Sequence, residues 1–307
     1  MDRVNKLKRR LGLRIGEERV SAPLANADLP SPPTGEAQRY FYLGPDLALA
    51  RLTTGHMIYV DPQDRDVSTH LIAYGYWESW IHSVVRGLIR PGDRIVEVGA
   101  NLGYYTLSMA DVVGPTGKIT ALEASPRLAA MVTQSLEING FANRVQVVDK
   151  AAFDRSGSIP FVIARSRSGG GHTQVAESLM VADSTVIEVE AVRLDDLGLG
   201  PIDFIRMDAE GSEPLILRGA AELLANPKIV ICMEWSVLQM RSRASVPEFV
   251  TWLDGMGFKF WRIDHDASLT PLAGEAMVTL EPSDVVISRR SPTTVPVNVP
   301  EAGLSSR

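Results

Sequence analysis

The sequence predicts an α/β fold, a doubly wound, Rossmann-like and mostly parallel seven-stranded sheet with an inserted β-ribbon. Three observations predict it. Short apolar runs rich in valine and isoleucine recur between residues 94 and 290, segments with helical apolar spacing separate most of them, and one pair of runs alternates in polarity without an intervening helix. Strands separated by helices form βαβ units, which place helices on both faces of a parallel sheet.

The first half of the series contains three strands. They are expected in RIVEVG (94–99), KITALEA (118–124) and RVQVVDKAA (144–152). Apolar residues at helical spacing follow the first strand, and Pro126 opens the next helix at a first-turn position, where proline is favoured.

The second half begins with the ribbon. SIPFVIA (158–164) and VIEVEAVRL (186–194) alternate in polarity, and the glycine-rich loop RSRSGGGHTQ lies between them. The remaining strands are expected in PIDFIRMDAE (201–210), KIVICMEW (228–235), FKFWRI (258–263) and DVVIS (284–288). Helical spacing follows the first two of these strands, so the αβ alternation continues.

Four segments follow from this pattern. Residues 1–39 form a basic arm and a proline-rich linker, and residues 40–93 form a cap whose end, from residue 55, suggests a strand, a turn and a helix. Residues 94–290 form the main domain, which contains the series of strands and helices. Residues 291–307 carry three prolines and no amphipathic pattern, which is typical of a disordered tail.

Composition excludes several classes of protein. The net charge of −6 argues against a nucleic-acid-binding protein, which normally has a basic surface. The single cysteine, Cys232, excludes an intramolecular disulfide. No apolar run approaches the roughly 18 residues of a spanning helix, and the charged N-terminus lacks the apolar segment of a signal peptide. A cytoplasmic protein without a membrane span is expected.

The segment RIVEVGANLGYYTLSMA predicts a nucleotide-like ligand. Gly99 and Gly103 lie where the first strand meets its helix, and exposed backbone amides there suit an anion. Glu123 ends the second strand, 24 residues after Gly99, where a carboxylate can accept hydrogen bonds from both ribose hydroxyls. The ligand should lie across the carboxyl ends of these strands.

Two residues near the glycines distinguish between two candidate cofactors. A nicotinamide dinucleotide needs glycines where Asn101 and Tyr104 stand, so that its pyrophosphate can approach the backbone. S-adenosylmethionine has no pyrophosphate; its carboxylate can take the turn amides and its ammonium an acceptor such as Glu97. The pattern favours an S-adenosylmethionine-dependent methyltransferase, with an NAD(P)-dependent oxidoreductase and a non-catalytic S-adenosylmethionine-binding module as alternatives.

Two separated motifs resemble the FkbM family of methyltransferases. VEVGANLGYYTL resembles the family's first motif, and RMDAEGSEPLILRGA (206–220) resembles its second, an Asp-x-Glu-Gly-x-Glu segment at a strand end. The similarity covers about residues 55–290. It departs where the family's usual aspartate is Glu97 and where Pro126 is offset. The resemblance implies a class I methyltransferase fold and O-methylation of a hydroxyl on a sugar, polyketide or other small molecule.

Four residues are candidates for the chemistry. A hydroxyl acceptor needs a general base or a metal, and Asp208 and Glu210 fall at a strand end facing the ligand crevice. Glu234 ends the neighbouring strand, and His172 lies in a loop that could close over a substrate. Glu213 begins a helix, where its charge favours the helix dipole. Oxygen ligands would suit Mg²⁺, but no metal-site signature is present and no metal is assigned.

The remaining candidates would contact S-adenosylmethionine. Asp149, after the third strand, lies where this fold meets the adenine amino group, and Glu78 in GYWES could reach the methionine end. The full expected set is Glu78, Glu97, Gly99, Asn101, Gly103, Tyr105, Glu123, Asp149 and Asp208. Surfaces for a small-molecule or glycan acceptor are expected from residues 40–90, from 165–185 and from the segment after Glu234.

Overall fold

The computed structural model describes residues 39–164, 166–174 and 183–294. The arm and linker expected at 1–39 and the tail expected at 291–307 therefore lie outside the described residues, except for Arg39 and residues 291–294. Within the described residues, no helix is both long enough and apolar enough to cross a bilayer.

Eight strands form the central sheet of the described residues, one more than the sequence predicts. In spatial order they are β14 (Leu269–Leu272), β13 (Lys259–Ile263), β15 (Ser283–Ser288), β12 (Val230–Trp235), β11 (Phe204–Met207), β4 (Arg94–Val98), β5 (Lys118–Leu122) and β6 (Val145–Val148). The five strands from β12 to β6 are parallel, whereas β15 and β14 are antiparallel to their neighbours. The additional strand is β14, which contains Pro271. Proline reads as a strand breaker in sequence but is accepted in an edge strand.

Helices cover both faces of this sheet, as predicted. They are α3 (Tyr104–Val113), α4 (Pro126–Ile138), α5 (Glu213–Arg218), α6 (Val237–Met240), α7 (Val246–Gly255) and α8 (Gly274–Met277) in the domain that follows the cap. Ile95 of β4 belongs to one apolar cluster with α3 and α4, whereas its neighbour Val96 belongs to another with α5 and α7. Successive strand residues face opposite sides, so the sheet is doubly wound.

One helix is shorter than the sequence predicts. Apolar spacing continues to Leu224, but α5 ends at Arg218, and a separate 3-10 turn covers Leu223–Ala225. At Gly219 an added Cβ would lie 2.2 Å from the Phe153 carbonyl oxygen. The Phe153 backbone therefore packs directly against Gly219, the C-cap residue of α5.

The region before the first domain strand forms a cap. It contains β1 (Tyr40–Gly44), β2 (Leu47–Arg51), β3 (Met57–Val60), α1 (Val67–Tyr74) and α2 (Ser79–Leu88). The strands form an antiparallel sheet that is bonded to α4 through Ser135 and Asn139, which accept the Tyr59 and Met57 amides at 3.0 Å. The single helix expected here is two helices, because Gly75 adopts the left-handed conformation that ends α1.

The predicted ribbon is present as a second, four-stranded sheet. Its strands are β7 (Ala151–Ala152), β8 (Gly157–Ala164), β9 (His172–Thr173) and β10 (Ser184–Val192). The long strands β8 and β10 are antiparallel, whereas β7 pairs in parallel with β10. The strand expected over residues 144–152 is therefore divided between the two sheets.

Candidate functional site

A cavity of about 890 Å³ lies at the carboxyl ends of β4, β5, β11 and β12. Residues of the cap and of the ribbon complete its walls. Of the residues selected from sequence, those that line it are Glu78, Gly99, Asn101, Tyr105, Glu123, Asp208, Glu210 and Glu234. The structure therefore brings both motifs to one space, as expected where parallel strands end.

The loop after β4 can adopt its path only with glycine at its start. Gly99 has φ +77°, and an added Cβ would lie 1.9 Å from the Asp208 carbonyl oxygen. Asn101 also has a positive φ of 52°, which asparagine tolerates better than most residues. Gly103 does not line the cavity. Its added Cβ would meet Val132 at 3.3 Å, so its role is close packing of α3 on α4.

Glu123 closes the same loop. Its Oε2 accepts the Asn101 amide at 2.8 Å and its Oε1 accepts the Ser125 amide at 2.9 Å. Burial raises the pKa of Glu123 to about 7, although both amides oppose the rise. Each oxygen retains a lone pair, so the side chain is fixed yet still able to accept ribose hydroxyls.

Glu97 is buried beneath the cavity rather than in it. Its side chain is fully buried and Oε2 accepts the Thr106 hydroxyl of α3 at 2.5 Å. Burial raises its pKa to about 7, and Arg206 acts against that rise. The expected contact with the cofactor ammonium is therefore not supported, because the side chain points into the sheet–helix interface.

The second motif forms a turn held by its own carboxylate. Glu213 is buried and accepts the Ala209 amide at 2.8 Å, which fits its expected structural role at a helix start. Glu210 has φ +52° and accepts a hydrogen bond from the Gln239 amide group. Burial, then Asp208 and Glu213, raise the pKa of Glu210 to about 8. Backbone strain of this kind tends to persist at functional sites.

Glu234 faces the same space from β12. Its Oε2 is buried and has no hydrogen-bond partner among the described residues. Directly opposite on β15 is Asp284, which the sequence analysis missed. Burial and neighbouring acids raise the pKa of Glu234 to about 10 and that of Asp284 to about 8. Burial thus favours the protonated form of both carboxyl groups.

Two further selected residues, His172 and Asp149, also lie outside the cavity lining. Thr173 of β9 is opposite Phe161 of β8, and both line the cavity. His172, next along the strand, therefore faces the other side of the ribbon, with its Nδ1 2.8 Å from the Gly170 carbonyl oxygen. Asp149 is exposed, whereas the residue after it, Lys150, lines the cavity.

The family model for the methyltransferase FkbM domain matches residues 97–260, more than half of the chain. The chain belongs to the FkbM methyltransferase family. The second motif, the ribbon and all but the first residue of the first motif fall within the matched residues. This membership confirms the resemblance.

Curated relatives match this FkbM methyltransferase over shorter segments. A protein-L-isoaspartate O-methyltransferase of Hyperthermus butylicus is 35% identical over 83 residues, 22% of this chain and 34% of that protein. Another, of Ignicoccus hospitalis, is 28% identical over 123 residues, 39% of this chain and 54% of that protein. The chain thus spans about a third to a half of the length of these two relatives.

A solved structure of methyltransferase FkbM from Methylobacillus flagellatus KT is 16% identical to this chain. The similar region covers 66% of this chain and 45% of that chain, with a TM-score of 0.42.

S-adenosylmethionine is the cofactor of this FkbM methyltransferase, and the cavity has the features that it needs. The volume of about 890 Å³ lies within the roughly 300–1,000 Å³ of small-molecule sites. The Gly99 loop exposes backbone atoms to the cavity, and Glu123 has lone pairs that can accept hydrogen bonds. The apolar side chains of Leu122, Ala151 and Phe161 can pack against an adenine ring. Within the described residues, no group of three or more His, Cys, Asp or Glu side chains could hold a metal ion.

Arg206 is the second residue that the sequence analysis missed. It is buried in the middle of the sheet, lines the cavity, and lies 3.3 Å from Asp208 Oδ2. The available signal was an arginine inside the apolar run DFIRM. A charged residue is rarely buried without a paired group, so the run itself indicated a partner.

Proposed function

We propose that this FkbM methyltransferase transfers the methyl group to a hydroxyl of a small molecule or glycan, with Asp208 as general base. One observation carries the proposal. Asp208 lies at the end of β11 with 39% of its side chain exposed, whereas the neighbouring acids Glu97 and Glu213 are buried and bonded. It is the carboxylate of the second motif that is open to an acceptor.

The other carboxyl groups have a different proposed role. Burial and neighbouring acids raise the pKa of Glu210 and of Glu234, which favours the protonated form of both groups. A protonated carboxyl donates a hydrogen bond and cannot take a proton. We therefore assign Glu210 and Glu234 to orienting the acceptor, and Asp208 to accepting its hydroxyl proton.

The cavity chemistry favours a hydroxyl over a carboxylate acceptor. The curated relatives named above are protein-L-isoaspartate O-methyltransferases. Here the acceptor side of the cavity carries Asp208, Glu210 and Glu234. An anionic acceptor there would lose hydration and be repelled by the Asp208 carboxylate. A neutral hydroxyl avoids both costs.

The residues that would hold the cofactor line the same cavity. The Gly99 loop and Glu123 would bind its amino-acid and ribose parts, and Glu78 would contact its methionine end. When bound, S-adenosylmethionine supplies an electrophilic methyl group. The described parts of the cap and of the ribbon form the remaining walls, so we propose that residues 40–93 and the 165–185 segment contribute acceptor contacts.

The domain boundaries predicted from the sequence and the cellular location are also proposals. We propose a cap at 40–93, a methyltransferase domain at 94–290 and flanking segments at 1–39 and 291–307. A cytoplasmic location is proposed because the single cysteine, Cys232, is buried and unpaired, as is usual in a reducing compartment.

Asp208→Asn tests the proposal, with Asp203→Asn as its matched control at the other end of β11. We expect Asp208→Asn to lower kcat at least about 100-fold, because general-base catalysis contributes roughly 10²–10⁴. Calorimetric titration with S-adenosylhomocysteine should show an affinity within about threefold of wild type, less than half of the 1.4 kcal/mol that a tenfold change requires. Candidate hydroxyl acceptors would be screened by transfer of radiolabel from S-adenosylmethionine.

Three results would contradict the proposal. Wild-type turnover in Asp208→Asn would remove Asp208 from the chemistry. Labelled methyl esters instead of ethers would reject the hydroxyl acceptor. Tight binding of S-adenosylhomocysteine without transfer to any cell-extract fraction would favour a non-catalytic binding module.

A further inference from the structure

The buried guanidinium of Arg206 contacts three segments that line the cavity. Arg206 is 6% exposed, and its Nη1 donates to the Gly99 carbonyl oxygen at 3.3 Å. Its Nη2 donates to Asp208 Oδ2, also at 3.3 Å, and its Cζ lies 4.1 Å from the centroid of the Tyr105 ring. One side chain of β11 therefore contacts the first loop, the second motif and α3.

The same group of contacts extends to the cap. The Tyr105 hydroxyl donates to Glu78 Oε2 at 3.0 Å. Glu78 precedes α2 and has a φ of +40°, a conformation that costs a non-glycine residue free energy. Tyr105 thus contacts the Arg206 guanidinium with its ring and the Glu78 carboxylate of the cap with its hydroxyl.

The charge of Arg206 is placed among acids. It lowers the pKa of Glu78, Glu97 and Asp284, against the burial that raises each of them. Two of the other three cations that line the cavity have ion-pair partners of their own, since Arg127 contacts Asp61 and Lys150 contacts Glu190, both at 2.7 Å. Arg206, the first residue of the second motif, donates to the loop of the first motif.

We propose that Arg206 is a positioning residue, whose guanidinium holds the Gly99 loop, the Asp208 carboxylate and the Tyr105 ring in the arrangement that binds cofactor and orients the base. The part that concerns Asp208 rests on the proposed function. The part that concerns cofactor binding rests on family membership alone. A lysine could keep the charge but not the two hydrogen bonds and the ring contact together, since it lacks the planar fork of arginine.

The test compares Arg206→Met and Arg206→Lys with Arg289→Met. Arg289 is a matched control because its guanidinium also lies 4.1 Å from a ring centroid, that of Phe258, and donates to three carbonyl oxygens, of Met256, Asn226 and Leu224. It is not among the residues that line the cavity. Thermal melts and calorimetric titration with S-adenosylhomocysteine from pH 5 to pH 9 would be measured for each protein.

Arg206→Met should bind S-adenosylhomocysteine at least about tenfold more weakly at pH 7, since a tenfold change needs only 1.4 kcal/mol. The ligand ammonium is attracted by carboxylates, so its affinity falls as they gain protons. Without the guanidinium the carboxylates gain protons at higher pH, and the acidic limb of the binding curve should move to higher pH by about one unit.

Arg206→Lys should keep that limb near its wild-type position and lower kcat more than affinity. Arg289→Met should lower Tm while S-adenosylhomocysteine affinity stays within about twofold, because affinity depends on contacts at the cavity.

The outcomes separate positioning from general stability. Wild-type affinity and an unmoved acidic limb in Arg206→Met would overturn the inference, as would an equal loss of affinity in Arg289→Met. If Arg206→Met does not fold, Arg206→Lys decides, and a kcat and affinity equal to wild type would overturn the inference. Failure of the proposed function would appear differently, as wild-type protein without methyl transfer whose affinity nevertheless depends on Arg206.

Discussion

Two aspartates flank β11 and differ in how completely they are bonded. At the amino end, Asp203 exchanges hydrogen bonds with Arg94, with Oδ2 accepting the Arg94 amide at 3.0 Å. Its carbonyl oxygen also accepts the Val230 amide at 3.0 Å, so it joins three neighbouring strands. At the carboxyl end, Asp208 contacts Arg206 and leaves 39% of its side chain exposed. One aspartate is used for the fold, and the other is available for a ligand.

The difference extends to the two ends of the sheet. At the amino end, Arg90 and Asp93 bond through the Arg90 amide at 2.7 Å, and Arg289 donates to three carbonyl oxygens. At the carboxyl end, burial and like charge raise the pKa of two acids, Glu210 and Glu234. Features that disfavour stability, such as buried acids placed beside one another, tend to occur at functional sites. Here they lie at the carboxyl end, where the site is proposed.

The largest expected effect comes from filling the space under the first loop. In Gly99→Ala the Cβ would lie 1.9 Å from the Asp208 carbonyl oxygen, and the loop must move away from the second motif. We expect S-adenosylhomocysteine affinity to fall at least about 100-fold, equivalent to 2.8 kcal/mol. Gly114→Ala is the control, because Gly114 has φ +66° with nothing within 4 Å. It should lose stability through the same backbone conformation but retain affinity; equal losses would reject the interpretation.

The fold was predictable where periodicity carries the information. The alternation of strands and helices, the ribbon and the positions of both motifs follow from apolar spacing, which reflects which face is buried. Strand β14 was missed because Pro271 reads as a breaker, and the short α5 because the close approach at Gly219 is a tertiary contact. Such contacts are absent from local sequence.

The site was predictable for residues that belong to a motif and less so for their partners. Asp208, Glu210 and Glu123 were found because each ends a strand, and strand ends meet in this fold. Asp284 was missed because β15 is antiparallel, so its first residues, rather than its last, lie at this edge. Glu97 and His172 were also assigned to the ligand, but neither lines the cavity: Glu97 is buried against the Thr106 hydroxyl, and His172 lies on the other side of the ribbon.

Stability should depend on pH through the buried acids of the carboxyl end. Glu97, Glu123 and Glu213 have pKa values of about 7 in the folded protein, against 4.5 as the ordinary value. Between these values the folded chain binds protons that the unfolded chain has released, so stability falls as pH rises. The Tm of the ligand-free protein should therefore decrease from pH 5 to pH 8.

Glu97→Gln assigns part of that decrease to one residue. Removing the ionisable group should reduce the loss of unfolding free energy between pH 5 and pH 8 by on the order of 1–3 kcal/mol. Glu248→Gln, at an exposed position on α7, should retain the wild-type decrease. Urea unfolding at both pH values measures the difference. An unchanged pH dependence in Glu97→Gln would show that Glu97 is ionised in the folded state across this range.

The smallest expected effect concerns the amino end. Asp203→Ala removes the acceptor of the Arg94 amide, and the net value of such a hydrogen bond is about 1 kcal/mol. Asp203→Asn keeps an acceptor oxygen and should lose less. Urea unfolding would measure both losses, and S-adenosylhomocysteine titration should give wild-type affinity in both variants. Since β11 connects the two aspartates through only four residues, Phe204–Met207, a loss of affinity here would mean that the strand transmits displacement from one end to the other. The two ends would then not be separable, and Asp203 would belong to the support of the site.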